Sequence, residues 1–103
     1  MIIVNTAYIP GKEFELLGIV KGNMVQSKHV GRDLMAGLKG IVGGELVGYT
    51  EMLDEARSVA TTRMIDEARA LNADAIVNVR YASAGIMQGS AEIVAYGTAV
   101  KFK

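Results

Sequence analysis

From Tyr49 to Leu71 the chain repeats apolar residues at helical spacing, then passes through Asn72-Ala73-Asp74 into two strand-like stretches ending in Ala95-Tyr96-Gly97-Thr98-Ala99-Val100. One long amphipathic helix followed by two strands restricts the fold, because neither kind of element buries its apolar face unaided. The expected solution is a helix laid on a hairpin. On a wheel of 100° per residue, Tyr49, Leu53, Ala56, Ala60, Met64 and Leu71 form one stripe, with Glu51, Asp54, Glu55, Ser58, Thr62 and Arg69 opposite. Glu67 occupies a slot where that stripe calls for an apolar residue, Arg63 lies one turn earlier and Arg57 sits on the other shoulder. Two readings stay open for Arg63 and Glu67. They form a surface pair contributing about 0.2–0.5 kcal/mol, or they face another copy of the chain.

Asn72 stands where a helix commonly turns left-handed, a conformation asparagine tolerates well. Asp74 then opens a strand to Ala82 in which Ala75, Val77, Val79 and Tyr81 share one face and Ile76, Asn78 and Arg80 the other. Ser83 to Ser90, with Gly85 and Gly89, reads as a flexible connection, and Glu92 to Phe102 as the returning strand. Ile86 and Met87 at its tip find no core to enter, so the reading leaves them either to a neighbouring subunit or ligand, or to a mobile tip.

Upstream, Met1 to Thr6 is a short apolar strand, and Ile9-Pro10-Gly11-Lys12 is a turn. Phe14 to Gln26 alternates loosely, which predicts a strand broken or bulged at Gly18 or Gly22, with Phe14, Leu16, Gly18, Val20 and Met24 on one face. Val30 to Val42 carries apolar residues at helical spacing, weakened by three glycines, and Gly43-Gly44 punctuates before the long helix.

Composition sharpens the functional question mainly by exclusion. Half of the 103 residues are hydrophobic, enough for one domain with a real core. Eleven basic residues balance eleven acidic ones and none cluster, so no field draws nucleic acid or an anionic membrane. The absence of cysteine removes disulfides, thiolate catalysis and thiolate metal sites. No apolar run approaches the length of a membrane span, and the reading is a cytoplasmic protein.

Several pieces together resemble a known family: Val42-Gly43-Gly44-Glu45, Tyr49-Thr50, Ala56-Arg57 with Ala60, Met64 and Ala68 at helical intervals, Leu71-Asn72-Ala73-Asp74-Ala75, and Ala95 to Val100. In order and spacing they are similar to the YbjQ-like bacterial proteins over essentially the whole chain, with Asn72 where that pattern generally has glycine. The resemblance implies a small α+β subunit, an αβ sandwich with a long helix on a mostly antiparallel sheet, assembling into a ring of five.

That family carries a heavy-metal label, against which the residues argue. Soft metals favour thiolate or several imidazoles, and this chain offers one histidine, His29, preceded by Lys28 and close to Arg32. No metal ligand is assigned. His29 has no motif of a catalytic triad around it, and the glycine-rich stretch 40–44 lacks the ending of a phosphate-binding loop. Three functional classes remain. The leading one is a non-enzymatic homo-oligomer binding a small ligand or ion between subunits, with Glu45, Arg57, Arg63, Glu67, Arg80 and Tyr96 as ligand or interface candidates. A scaffold whose ring is the functional unit, and an enzyme with a composite inter-subunit site, are the alternatives.

Overall fold

The computed structural model describes residues 1–27, 41–42, 45–87 and 89–103. In chain order the elements are β1 (Ile2–Ile3), β2 (Phe14–Ser27), β3 (Ile41–Val42), β4 (Glu45–Leu46), α1 (Val47–Ala70), β5 (Ala75–Met87) and β6 (Ser90–Phe102). Four strands form one sheet in the order β1-β5-β6-β2, and β3 with β4 make a separate two-stranded ribbon. Only β1 runs parallel to its neighbour, so the main sheet is mixed but mostly antiparallel. The helix expected over Val30–Val42 lies outside the described residues for 30–40, as do His29 and Gly43-Gly44, while Ile41–Val42 is strand β3.

The 24 residues of α1 lie along β2 and β6. The residues that reach the sheet are Met52, Ala56, Ala60, Met64 and Ala68, all buried and spaced by four. This corrects the expected stripe: Leu71 falls beyond the helix end and is exposed, and Tyr49 and Leu53 are only partly covered. Three of the five are alanines, so the helix backbone itself approaches the sheet. Opposite them is Gly22, where an added Cβ would stand 2.7 Å from Arg63 Cβ and closer still to Ala60 O and Met64 N. Contact is therefore between main chains, and Gly22 makes it possible.

The helix ends in two overlapping hydrogen bonds, Ala73 N–H to Ala68 O at 3.1 Å and Asn72 N–H to Arg69 O at 2.9 Å, with Asn72 at φ 58°. This is the left-handed Schellman cap that asparagine supports. Asp74 then fixes the entry to β5: its backbone N–H donates to Val100 O, and its carboxylate accepts from Phe102 N–H at 2.8 Å.

Two bulges decide which residues face α1. In β2 the register slips between Leu16 and Gly18, with Gly18 at φ 137°, so Leu17 joins Val20 and Met24 toward the helix while Leu16 and Ile19 point away. The expectation of a bulge at Gly18 holds, and its consequence is that Leu16 does not share a face with Val20. In β5 the slip lies between Val77 and Arg80, with Asn78 at φ 54°. Ile76 and Val79 therefore face the helix, whereas Ala75, Val77 and Arg80 face away. Strict alternation put Arg80 with Ile76; the extra residue at Asn78 reverses that.

The core has a part on each side of the sheet. Val20, Ala56, Ala60, Met64, Ala68, Ile76, Val79, Ile93, Ala95 and Ala99 fill the helix side. Beneath the sheet, Ala75, Val77 and Val100 are covered by Val4, Ile9, Phe14 and Phe102. The segment after β1 stays close because Val4 N–H donates to Ile76 O, Asn78 N–H to Thr6 O and Val79 N–H to Val4 O. The turn at Pro10-Gly11 closes with Lys12 N–H to Ile9 O, with Gly11 at φ 74°. Each fully buried large side chain, Met64, Ile76, Val20, Val77 and Val100, contributes about 1.5–3 kcal/mol by leaving water.

Ser83 to Met87, expected to be a flexible connection, is strand, and β5 pairs with β6 out to Met87 opposite Ser90. The hairpin is consequently long, which gives the molecule extents of 53 × 26 × 17 Å. Among the described residues, no helix is long and apolar enough to cross a membrane.

Replacing Gly22 by alanine is expected to lower the free energy of unfolding by about 1–3 kcal/mol or more, because the methyl group meets backbone that cannot rotate away. At the helix cap, Asn72→Gly should be neutral or slightly stabilising, while Asn72→Val should cost about 1–2 kcal/mol. Urea denaturation of the three variants checks both statements.

Candidate functional site

Among the described residues, no helix lies over the away-facing side of the sheet beyond Val77 and Val100. Across it the paired residues line up in rows: Ile19 beside Thr98, then Lys21, Tyr96 and Arg80 on three adjacent strands. A groove of about 310 Å³ lies there, lined by Ile19, Asn78, Arg80, Tyr96, Gly97 and Thr98. Its size reaches the lower range of small-ligand sites. Tyr96 and Arg80 are both exposed, and Ile19 is 79% exposed although it is a large aliphatic residue.

The bulge at Asn78 positions the arginine. Without the extra residue, alternation would send Arg80 to the helix side with Ile76. With it, the side chain crosses to the open face and Nη1 donates to Asn5 O at 2.8 Å and Val79 O at 3.1 Å. Two carbonyls thus hold one end of the guanidinium. A non-glycine residue at positive φ beside a groove is strain of order 1–3 kcal/mol that surrounding structure must over-determine. Here the bond from Asn78 N–H to Thr6 O does so.

Gly97 offers only backbone to this groove, because its missing side chain is on the helix side of the sheet. A Cβ there would come within 2.8 Å of Ile76 Cγ2 and 2.9 Å of Val77 O, so the strand beside Tyr96 packs against the core at a position that only glycine fits.

The other expected site residues are distributed elsewhere. Arg57 is paired with Asp54 one turn back on α1 and does not line the groove. Arg63 and Glu67 do not pair with each other. Arg63 Nη1 donates to Asn23 O at 2.7 Å, and Glu67 Oε1 accepts from Lys21 N–H at 3.2 Å. Both therefore satisfy outward-facing backbone groups of β2, an edge strand, and so guard an edge that would otherwise invite another strand. Glu45 lies in β4 opposite Val42, and its side chain falls outside the described residues. Of the six candidates, then, Arg80 and Tyr96 share a groove, Arg63 and Glu67 share a strand edge, Arg57 belongs to neither, and the side chain of Glu45 is outside the described residues.

Sequence reasoning missed Lys21, Asn78, Ile19 and Thr98. The alternation in β2 does place Ile19 and Lys21 on one face, but their meeting with Thr98 and Tyr96 depends on a register that only the bulge at Gly18 sets.

A second hollow, about 190 Å³, lies against the start of α1 and is lined by Gln26, Gly48, Glu51, Met52 and Glu55. Gln26 Oε1 is buried there with no hydrogen-bond partner among the described residues. A third, about 270 Å³, is lined by Ile3, Val4, Asn5, Val79 and Tyr81.

A mixed four-stranded sheet carrying one long helix, with a groove on the face away from that helix, defines a small α+β domain. The chain belongs to the YbjQ family, described as "Putative heavy-metal-binding", which matches residues 1–103. Similar proteins include a UPF0145 protein of Alkaliphilus metalliredigens, 59% identical over 102 residues and covering 99% of both chains. A UPF0145 protein of Clostridium novyi is 58% identical over 101 residues, covering 98% of each. One from Vibrio parahaemolyticus is 60% identical over 102 residues, 98% of this chain and 97% of that one. A crystal structure of a protein of unknown function from Pediococcus pentosaceus, assigned to the DUF74 family, superposes with a TM-score of 0.67 at 15% identity. It covers 100% of this chain and 98% of that one, and the likeness is one of fold.

The heavy-metal description finds little to rest on in the described residues. They contain no group of three or more His, Cys, Asp or Glu side chains placed to hold an ion, and the chain has no cysteine. The oxygen donors around Gln26 are of the kind that hard cations prefer, whereas heavy soft metals select sulfur and imidazole. Among the described residues the donors around Gln26 do not fit such a metal; His29 lies outside them.

Because Arg63 and Glu67 each satisfy a β2 backbone group, truncating either to alanine should cost about 0.5–1.5 kcal/mol. Glu67→Gln keeps an acceptor oxygen for Lys21 N–H and should stay within about 0.5 kcal/mol of the parent protein. Thermal and urea unfolding of the three variants tests this; equal losses for Glu67→Gln and Glu67→Ala would show that charge, not the acceptor, is what matters.

Proposed function

We propose that this chain is a subunit of a homo-oligomer that binds a small ligand on the open face of its sheet, without catalysis. The observation that carries this reading is the outer edge of β5 from Tyr81 to Met87. All seven of these residues are exposed, and they include neither a charged residue nor a proline. Natural proteins guard free edges with lysine, proline, bulges or a covering element. The opposite edge of the same sheet has such guards in Lys21, Arg63 and Glu67, and the start of β5 is covered by the segment after β1. Among the described residues nothing pairs with β5 beyond Val79 on that side. An edge so unlike its counterpart fits a strand that another copy of the chain covers.

The apolar side chains point the same way. Ile86 is 54% and Met87 66% exposed, and Val25 and Tyr81 are also large and exposed. Together they leave the far half of the hairpin apolar on surfaces that no described residue covers, as interaction sites are. Five subunits is the stoichiometry the family resemblance implies. Clefts between copies would then add walls to grooves that a single chain leaves shallow, which is why the ligand sites are placed between subunits.

Native mass spectrometry and light scattering of the full chain should give a defined multiple of 11.0 kDa. Charging the edge with the double substitution Ala84→Lys and Ile86→Lys should yield a folded monomer whose melting temperature no longer depends on concentration. A parent protein that stays monomeric at micromolar concentration would overturn the reading.

A further inference from the structure

The groove on the open face has a charge pattern that selects among ligands. Lys21, Tyr96 and Arg80 stand side by side on β2, β6 and β5, facing away from the helix. Adjacent strands lie about 4.8 Å apart, so two cations flank one aromatic ring across a span of about 10 Å. Among the described residues the groove is lined by Ile19, Asn78, Arg80, Tyr96, Gly97 and Thr98, with no acidic side chain, and Lys21 stands next to Tyr96 at its margin. The nearest carboxylate on the same face of β6 is Glu92, four residues along the strand and paired with Val25 and Ala84. Glu67 meets Lys21 only at the backbone N–H, leaving the lysine ammonium exposed and without a partner among the described residues.

Arg80 is held in a particular way. Its Nη1 is occupied by the carbonyls of Asn5 and Val79, while Nη2 and Nε donate to no described residue. A guanidinium anchored at one nitrogen presents the Nη2–Nε side as a fixed pair of donors, the geometry that accepts a carboxylate through both oxygens. The anchoring lowers the conformational entropy lost on binding. Beside it, Tyr96 offers a ring 41% exposed, and Ile19 an aliphatic wall 79% exposed. These suit a flat, apolar body rather than a compact inorganic anion.

We propose that this groove is a binding site for a small planar carboxylate, its carboxyl group on Arg80, its flat body along Tyr96 and Ile19, and Lys21 supplying long-range attraction. The inference rests on the ligand-binding reading above and names the ligand class for the same face. It assigns Asn78 a role as well: the left-handed bulge is the device that brings Arg80 to the open face, so this neutral residue positions the carboxylate site through the backbone.

Benzoate is the probe, with benzamide as the same flat body lacking the charge and acetate as the charge lacking the flat body. Each is titrated into the full chain, followed by proton–nitrogen correlation NMR, with the oligomeric state of the same sample recorded by light scattering. Benzoate should shift the amides of Asn78, Gly97 and Thr98 saturably, with benzamide and acetate each binding about tenfold more weakly or worse, roughly the effect of one lost charge-assisted hydrogen bond or one aromatic contact. Arg80→Gln should abolish the response, but it also removes the bonds to Asn5 and Val79, so two further variants carry the test. Tyr96→Leu should weaken benzoate and leave acetate unchanged. Lys21→Gln, whose side chain holds nothing in the fold, should weaken both anions by a few-fold and reduce their salt dependence. Benzoate shifts that are absent, lie elsewhere, or are matched by benzamide would overturn the inference. A monomer that binds benzoate at these amides would overturn the assembly reading and leave this one standing; an oligomer that ignores benzoate would do the reverse.

Discussion

Everything in this fold depends on the close approach of α1 to β2 at Gly22. A helix usually meets a sheet through large side chains, which hold the two backbones well apart. Here Ala56, Ala60 and Ala68 on the helix and Gly22 on the strand remove that spacer, and the polar ends of the neighbouring side chains gain reach as a result. Arg63 and Glu67 can touch the backbone of β2 at Asn23 and Lys21 because the helix carrying them lies so near. The same closeness thus packs the core and seals one edge of the sheet. Small residues bury less apolar area individually, which is offset by Met64, Val20 and Ile93 filling the space around them.

The second constraint is the pair of bulges at Gly18 and Asn78. A strand that alternates strictly could not bury Leu17 together with Val20 while exposing Ile19, nor bury Ile76 together with Val79 while turning Arg80 outward. One extra residue in each strand removes the conflict. At Gly18 glycine supplies the unusual backbone without strain; at Asn78 a side-chain-bearing residue adopts it, stabilised by its hydrogen bond to Thr6. Since Ile19 and Arg80 both line the open groove, the two bulges, on non-adjacent strands, shape one site from its two sides.

How much of this was legible in the sequence follows from the range of the interactions involved. The helix, its asparagine cap, the turn at Pro10-Gly11 and the existence of a bulge near Gly18 are local matters, governed by spacing and by backbone preferences of single residues. They appear in the structure close to where the residues place them. The face assignments in β2 and β5 went astray because a bulge transmits its effect along the strand: every residue after it changes side. Nothing in Asn78 announces positive φ, since asparagine sits equally well in extended backbone. The length of β5 was misjudged for a related reason. Gly85 and small residues around it read as a loop, yet pairing with β6 keeps them extended out to Met87. Arg63 and Glu67 stand out beside the apolar stripe, but their partners are main-chain atoms of a strand 40 or more residues away in sequence, and no pattern within the helix encodes that.

The contrast between the two edges of the sheet bears on why a chain this small would leave so much apolar surface uncovered. Guarding β2 needed only two helix side chains already in position, so the sequence can protect an edge when doing so is advantageous. Along β5 from Tyr81 to Met87 the residues are Tyr, Ala, Ser, Ala, Gly, Ile and Met, and any of the four small positions would accept a lysine without disturbing the core, since none is buried. An unguarded edge is a liability in a monomer and an asset in a subunit. Covering it with another copy would also bring a second polypeptide to the bare face on which Lys21, Tyr96 and Arg80 lie, joining the assembly of the protein and the completion of its groove in a single packing event.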